Sequence, residues 1–309
     1  MKVVIFGLGS IGLRHAKLLK KRKGVELWAF RTGKGQAKNS LKIREITRWQ
    51  DIDRIKPDVA FITNPTSLHI QTAIECAKRG MHLFIEKPLD CQTKDLNRLL
   101  KIVKQKKLST YVAYVLRFHP VIELLRQQVK KQRPFHVRAT ASTYLHRWRK
   151  GFDTKKNYSA RKKMGGGVIW DLSHEIDYIQ YILGPVQNID GRFSRRSSIT
   201  VDSEDNADLF IETKRSPANV HISYFGQKEE RRIQIDFEDR TLEGDLLKST
   251  ITEYRGGVLR KKRKLKRSIK DSYDRQLNYF MKHLNSRNMM NNIFEASELF
   301  KKICNFKTG

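Results

Sequence analysis

The segment VVIFGLGSIG, residues 3–12, is the part of the chain from which a fold can be predicted first. Its apolar run is typical of a strand buried on both faces, and Gly7, Gly9 and Gly12 then fit the pattern G-x-G-x-x-G. In this pattern the first glycine makes a tight turn, the second lets a pyrophosphate approach the backbone, and the third lets a helix pack closely on the strand. The segment therefore predicts a dinucleotide-binding turn, with phosphates held at the helix N-terminus.

Apolar runs and helical patterns alternate after this turn, as far as about Phe118. The predicted strands are 25–30, 58–63, 82–85 and 110–116, and the predicted helices are 67–79 and 93–107. Strands that alternate with helices favour a parallel, doubly wound sheet. We therefore predict an α/β Rossmann domain over residues 1–118.

The pattern changes in residues 119–309, where longer segments alternate between apolar and polar side chains. The predicted strands are 135–144, 186–193, 207–213, 219–224 and 232–237, and the predicted helices are 121–131, 167–183, 271–284 and 292–304. Such alternation is typical of an antiparallel sheet with one solvated face. We predict an α+β domain for substrate binding and oligomerisation, whose C-terminal helices could pack back on the first domain.

Composition excludes several classes of protein. No apolar stretch approaches the roughly 20 residues that span a membrane, and the three cysteines show no metal-binding spacing. A cytoplasmic protein without a structural metal or membrane partner is therefore expected. The net charge of +31 permits an anionic substrate. However, the densest basic run, VLRKKRKLKRSIK at 258–270, lacks aromatic residues for base stacking, so no specific nucleic-acid function is predicted.

The end of the second strand bears on the choice of cofactor. NAD-selective sites usually place Asp or Glu there to bind the ribose 2′-hydroxyl, whereas this chain has Ala-Phe-Arg-Thr at 29–32. Arg31, with Thr32 and Lys34, could instead pair with a 2′-phosphate. This favours NADP over NAD, although a solvated arginine in a basic protein is the alternative.

Four more motifs follow in order: ITNPTSLH at 62–69, IEKPL at 85–89, VLRFHP at 115–120 and GGGVIWDLSHEIDY at 165–178. With the glycine turn, this set resembles the Gfo/Idh/MocA family, and the resemblance covers essentially the whole chain. It implies a Rossmann domain followed by a domain built on an open, mostly antiparallel sheet. It also implies hydride transfer between NAD(P) and a sugar, polyol or related carbonyl compound.

Three residues are candidates for the chemistry. In the family pattern Lys87 lies beside the nicotinamide, where its ammonium would hydrogen-bond the substrate oxygen. A neutral imidazole can take a hydroxyl proton near pH 7, so His174 is the candidate general base or acid. Asp171 would bind or orient the substrate, since residues three apart on one helix share a face.

The spacing of this motif departs from the commoner family form. Asp-x-x-x-His is usual, whereas this chain has Asp-Leu-Ser-His, which rotates Asp171 by about 100° relative to His174. The role of Asp171 is therefore less secure than that of His174. Asp177 matches another recurrent acid of the family.

The remaining site predictions concern residues near strand ends. His69 either contacts the cofactor or is a satisfied histidine at a helix start. For the substrate-binding candidates that precede the helix at 167–183, the alternative is ordinary packing or a place on the surface. The predicted cofactor-binding residues are Gly7, Gly9, Ser10, Ile11, Gly12, Arg31, Thr32, Asn64, Pro65, His69, Glu86 and Lys87. The predicted substrate-binding residues are Lys87, Arg117, Trp148, Tyr158, Asp171 and His174, with Arg149 beside them.

The sequence favours an NADP-dependent dehydrogenase or reductase, acting on a small molecule such as a sugar or nucleotide sugar. The alternative is a noncatalytic cofactor-binding sensor of the same fold, which the presence of both Lys87 and His174 disfavours. An exposed sheet face in the second domain would favour a homodimer or homotetramer.

Overall fold

The computed structural model describes residues 1–33, 38–147, 165–199, 201–286 and 289–308. They form two compact units. The first comprises Met1–Ala113 and Leu277–Lys301, and the second comprises Tyr114–Gln276 and Lys302–Gly309.

The first unit contains a six-stranded sheet in which every strand pairing is parallel. Its strands are β1 (Lys2–Phe6), β2 (Glu26–Phe30), β3 (Arg44–Ile46), β4 (Val59–Ile62), β5 (His82–Glu86) and β6 (Thr110–Ala113). Their order is β3-β2-β1-β4-β5-β6, so the direction of winding reverses between β1 and β4. Ligands of open α/β sheets bind at the carboxyl ends of the strands beside such a reversal.

The helices of this half are α1 (Ser10–Lys20), α2 (Trp49–Ile55), α3 (His69–Lys78) and α4 (Leu96–Gln105). The predicted parallel sheet is confirmed, but the prediction did not include β3 or α2. It also extended the sixth strand to residue 116, whereas the backbone turns into a 3-10 helix at Val115–Phe118.

The second unit is built on an eight-stranded, mostly antiparallel sheet. Its elements are α5 (Pro120–Lys131), β7 (His136–Tyr144), α6 (Val168–Asp171), α7 (His174–Leu183), β8 (Val186–Ser194), β9 (Asn206–Thr213), β10 (Ala218–Ser223), β11 (Phe225–Asp236), β12 (Thr241–Asp245), β13 (Thr250–Arg255) and β14 (Val258–Lys264). The strand order is β14-β13-β12-β11-β7-β10-β9-β8, and only the β7–β10 pairing is parallel among the described strands. The predicted α+β architecture is confirmed.

The basic run that the sequence shows at 258–270 begins as an edge strand. All seven residues of β14 are exposed, and five of them are lysine or arginine. Charged side chains on an edge strand oppose pairing with a second sheet, which gives this part of the basic run a structural explanation.

The last two helices, α8 (Ile269–Lys282) and α9 (Ile293–Thr308), carry the chain back to the first unit over Leu277–Lys301. Asn291 pairs with Val112 through a backbone bond of 3.0 Å and a side-chain bond of 2.6 Å. The ring of Phe280 packs edge-on against Phe61 and Phe84. The two compact units divide after Ala113, and Leu277–Lys301, in the segment that was predicted as the second domain, belongs to the first unit.

The predicted helix at 167–183 is interrupted, which corrects the sequence interpretation. α6 ends at Asp171, and α7 begins at His174 after Leu172 and Ser173. The Ser173 hydroxyl donates 2.9 Å to the Trp170 carbonyl, where it competes with the helical backbone bonds. Asp171 and His174 therefore lie on two helices and do not share a face of one.

None of the helices in the described residues is long and apolar enough to cross a membrane.

Candidate functional site

The glycine turn joins β1 to α1, and at two of its glycines, Gly7 and Gly12, the surrounding atoms leave no room for a side chain. Gly7 has a positive φ of 94°, and its N–H donates to the Phe30 carbonyl at 3.3 Å. A Cβ on Gly12 would lie 2.1 Å from the Gly7 carbonyl oxygen. That same oxygen accepts a 2.7 Å bond from the Thr63 hydroxyl, so it is fixed in place. Gly12 therefore allows α1 to pack against the turn, as predicted for the third glycine.

Gly9 has the opposite environment, because it faces open space. An added Cβ there would have no heavy atom of the described residues within 4 Å. Gly9 is the N-cap of α1, no side chain among the described residues caps this end of the helix, and the first helical turn has no acidic residue. Ser10 is exposed and Ile11 half-buried. Backbone N–H groups at such a helix start suit the pyrophosphate of a dinucleotide. The residues present therefore fit the predicted cofactor.

Arg31 follows β2 and does not lie free in solvent. Its Nη1 is 2.8 Å from Oε1 of Glu45 on β3, and the Arg31 side chain is only 17% exposed. Thr32 is exposed, and Lys34 lies outside the described residues. The sequence did not indicate an acid beside Arg31.

His69 is the first residue of α3 and is buried in the first unit. It is 2% exposed, and its two ring nitrogens lie 2.9 Å from the carbonyls of Pro88 and Asn64. Burial lowers the pKa of His69, although both backbone contacts act to raise it. These contacts favour the interpretation of His69 as a histidine held within the protein at a helix start, where its neutral ring can donate to one of the two carbonyls. His69 ties together the loops that follow β4 and β5.

Asn64 and Pro65 lie where β4 ends. The Asn64 amide donates 2.8 Å to the Thr72 hydroxyl, whereas its Oδ1 is buried without a hydrogen-bond partner in the described part of the chain. Pro65 is exposed. Asn64 lies beside the glycine turn, since a Cβ on Gly7 would lie 3.0 Å from the Asn64 Cα.

Glu86, at the end of β5, is bound within the protein. Its Oε1 lies 2.6 Å from Nε2 of His15, a fully buried residue of α1, and its Oε2 accepts the Lys87 N–H at 3.2 Å. The predicted cofactor contact of Glu86 is therefore not supported. Instead, Glu86 connects the helix that starts at the glycine turn to Lys87, whose side chain is half-buried.

The second unit holds Asp171 and His174 through tyrosines. The Tyr224 hydroxyl donates 2.6 Å to Oδ2 of Asp171, and both residues are buried. The His174 ring meets Tyr114 edge-on at 5.5 Å between centroids. Burial raises the pKa of Tyr114, so its hydroxyl stays protonated and donates to Ser173 at 3.4 Å. Both predicted residues are thus oriented by partners that the sequence did not reveal.

Arg117 is the clearest correction among the predicted site residues. It is 1% exposed, and its guanidinium makes bonds of 2.8 and 2.9 Å to the two oxygens of Asp177, which is also buried. A bidentate buried pair is an internal anchor, so a direct substrate contact is not supported. Trp148, Arg149 and Tyr158, the other candidates of this group, lie outside the described residues.

Sequence reasoning missed Tyr224, Tyr114, His15 and Glu45. Tyr224 is 53 residues from Asp171, and His15 is 71 residues from Glu86. Single tyrosines and histidines in apolar segments have no local signal that distinguishes them from ordinary core residues. Only the spatial pairing identifies them.

Comparison with known proteins matches both halves of the chain. Residues 1–114 match an oxidoreductase family with an NAD-binding Rossmann fold, and residues 123–243 match the Gfo/Idh/MocA C-terminal domain. Myo-inositol 2-dehydrogenase of Thermotoga maritima is 25% identical over 214 residues, which is 66% of this chain and 60% of that protein's length. UDP-N-acetylglucosamine 3-dehydrogenase of Acidithiobacillus ferrooxidans is 24% identical over 272 residues, covering 84% and 78% of the two chains.

A solved structure extends the likeness of fold to the whole chain. The inositol dehydrogenase homologue of Azotobacter vinelandii, complexed with NAD⁺, superposes with a TM-score of 0.85 at 13% identity. The match covers 100% of this chain and 96% of that one.

Proposed function

Because the chain belongs to the Gfo/Idh/MocA family of oxidoreductases, we propose that it transfers a hydride between NAD(P) and a sugar, polyol or nucleotide-sugar-like substrate. The observation that carries the proposal is the glycine turn. A Cβ on Gly12 would collide with the Gly7 carbonyl, whereas a Cβ on Gly9 would meet no described atom within 4 Å, at a helix start that no described side chain caps. Such a turn suits the pyrophosphate of a dinucleotide.

Lys87 would act on the substrate oxygen. When bound, the nicotinamide supplies the hydride donor or acceptor. The Lys87 ammonium, which follows the carboxyl end of β5, would donate a hydrogen bond to the oxygen on the reacting carbon. The Glu86 carboxylate accepts the Lys87 N–H, and its bond to His15 holds this part of the backbone against α1.

His174 would move the proton. Its Nδ1 is buried, which leaves Nε2 as the nitrogen that we assign to proton exchange. In the oxidative direction Nε2 accepts the hydroxyl proton as the carbon loses its hydride, and in reduction it returns that proton. Asp171, held by Tyr224, would accept a hydrogen bond from a neighbouring substrate hydroxyl.

The substrate class follows from the family and from the named relatives, which include an inositol dehydrogenase and a UDP-sugar dehydrogenase. The net charge of +31 supports an anionic member of this class. The preference for NADP over NAD depends on Arg31. We also propose a cytoplasmic location, where the three cysteines of the chain would stay reduced.

We propose a homodimer or homotetramer that uses the exposed face of the eight-stranded sheet. Along β7 and β9 every second residue is buried, while the residues between them are exposed or half-buried. Light scattering would give the assembly state directly.

Substitution of the two proposed catalytic residues tests the function. Lys87→Met and His174→Ala should retain cofactor binding, measured by NAD(P)H fluorescence, but lose turnover by about 10²-fold or more. Turnover would be followed by NAD(P)H absorbance across sugars, polyols and nucleotide sugars. Lys101→Met on α4 and the half-buried His136→Ala on β7 are matched controls, and both should retain full activity.

Two outcomes would contradict the proposal. Full activity in Lys87→Met or His174→Ala would remove the assigned role of that residue. Tight cofactor binding without turnover of any substrate in the panel would instead support the noncatalytic sensor.

A further inference from the structure

The Arg31–Glu45 ion pair lies where the cofactor's adenosine ribose is expected. β2 and β3 are parallel neighbours in register, with Phe30 opposite Ile46. The Arg31 N–H donates 2.9 Å to the Ile46 carbonyl, and the Phe30 carbonyl accepts the N–H of Gly7. The pair is therefore at the carboxyl edge of the sheet, next to the glycine turn.

Glu45 supplies an acid that the carboxyl end of β2 lacks. NAD-selective Rossmann domains carry that acid at the end of the second strand, where this chain has Arg31. Here the carboxylate comes from β3, and its Oε1 is 2.8 Å from the Arg31 guanidinium. The Glu45 side chain is 38% exposed, so it remains accessible to a ligand.

The two cofactors would meet this pair differently. The 2′-hydroxyl of NAD is a neutral donor, which a carboxylate can accept while its ion pair stays intact. The 2′-phosphate of NADP carries up to two negative charges, which attract Arg31 but repel Glu45. To bind that phosphate, Arg31 must share or break its bond to Glu45.

We propose that Glu45 is the residue that sets the choice between NAD and NADP, because it accepts the ribose hydroxyl of NAD and competes with the 2′-phosphate of NADP for Arg31. The preference for NADP that Arg31 alone would confer is thereby reduced. This inference rests on the proposed function, since it requires that the turn binds a dinucleotide. It assigns cofactor selectivity to a strand outside the glycine motif.

The experiment compares dissociation constants for NADH and NADPH by fluorescence titration, which needs no substrate. In Glu45→Gln the ratio of Kd for NADH to Kd for NADPH should rise about tenfold, because the carboxylate charge is lost while the shape is retained. In Arg31→Gln the ratio should fall. The effect of Glu45→Gln should be smaller in the Arg31→Gln background than in the wild type, because the two residues act through one contact.

Glu26→Gln is the matched control. Glu26 pairs with Arg44 at 3.3 Å across the same two strands, and it lies at the amino-terminal end of β2, away from the glycine turn. This variant makes the same chemical change in the same sheet, so the Kd ratio should stay at the wild-type value.

A ratio in Glu45→Gln that stays within twofold of the wild type, or that falls, would overturn the role of Glu45 while leaving dinucleotide binding intact. An equal rise of the Kd ratio in Glu26→Gln would mean that general surface charge causes the change. That result would also overturn the role of Glu45. If the wild-type protein binds neither NADH nor NADPH, the proposed function fails as well.

Discussion

The glycine turn of the first unit differs in construction from the polar cluster of the second, which comprises Asp171, His174, Tyr114 and Tyr224. In the turn, backbone atoms create the site, and the decisive contact joins Gly12 to Gly7 within one short segment. In the cluster, side chains create the site, and Asp171 depends on Tyr224, a residue on another element. A site made of backbone can be predicted from consecutive residues, whereas a site made of side chains depends on which distant elements pack together.

Arg117 also depends on a distant side chain, Asp177. Its substitution should change stability more than any other variant considered below. Arg117→Met would leave the buried Asp177 carboxylate without its bidentate partner, which should lower the free energy of unfolding by about 3–5 kcal/mol. Denaturant titration measures this loss. Arg126→Met is the control, because Arg126 stacks on Tyr181 at 4.0 Å and its hydrogen bonds go to that residue. It should cost about 1 kcal/mol.

An unchanged stability in Arg117→Met, together with a raised KM, would restore Arg117 as a substrate contact. It would also mean that the second unit is less dependent on distant side-chain pairs than the comparison implies.

Gly9 and Gly12 test the site that is made of backbone, and Gly12→Ala should have the next largest effect on stability. Gly12→Ala places a Cβ against the Gly7 carbonyl, so we expect a loss of about 3 kcal/mol in stability together with the loss of NADH binding. Gly9→Ala meets no protein atom of the described residues within 4 Å. It should keep the wild-type melting temperature while it weakens NADH binding by about tenfold.

The test is the difference in stability between Gly9→Ala and Gly12→Ala. Equal losses of stability in Gly9→Ala and Gly12→Ala would mean that Gly9 is a structural glycine and does not face the phosphates.

Tyr224→Phe tests the cluster with the smallest effect. It removes one hydroxyl that donates 2.6 Å to the buried Asp171 carboxylate, so the free energy of unfolding should fall by about 1.5–2 kcal/mol. If Asp171 orients the substrate, KM should rise in this variant while NADH affinity stays unchanged. Wild-type stability and KM would show that Tyr224 does not hold Asp171.

Local patterns allowed most elements of both units to be predicted. The apolar runs gave β1, β4 and β5 because parallel strands buried on both faces are continuously apolar. β12, β13 and β14 were not predicted, because they are short or strongly charged, and their pairing with neighbouring strands stabilises them. The break at Leu172 and Ser173 was not predicted, because a serine within a helical pattern is only a weak signal for the end of a helix. The bond from the Ser173 hydroxyl to the backbone is visible only in the structure.

The amino-acid sequence by itself determined the Rossmann sheet and the glycine turn, because their geometry depends on residues a few positions apart. Only the tertiary structure decided that Glu45 lies against Arg31, that Arg117 is buried against Asp177, and that Leu277–Lys301 returns to the first unit. These contacts join residues far apart along the chain, and their pairing follows from how strands and helices pack. The parts of the candidate site that concern selectivity and orientation are therefore the parts that the sequence could not supply.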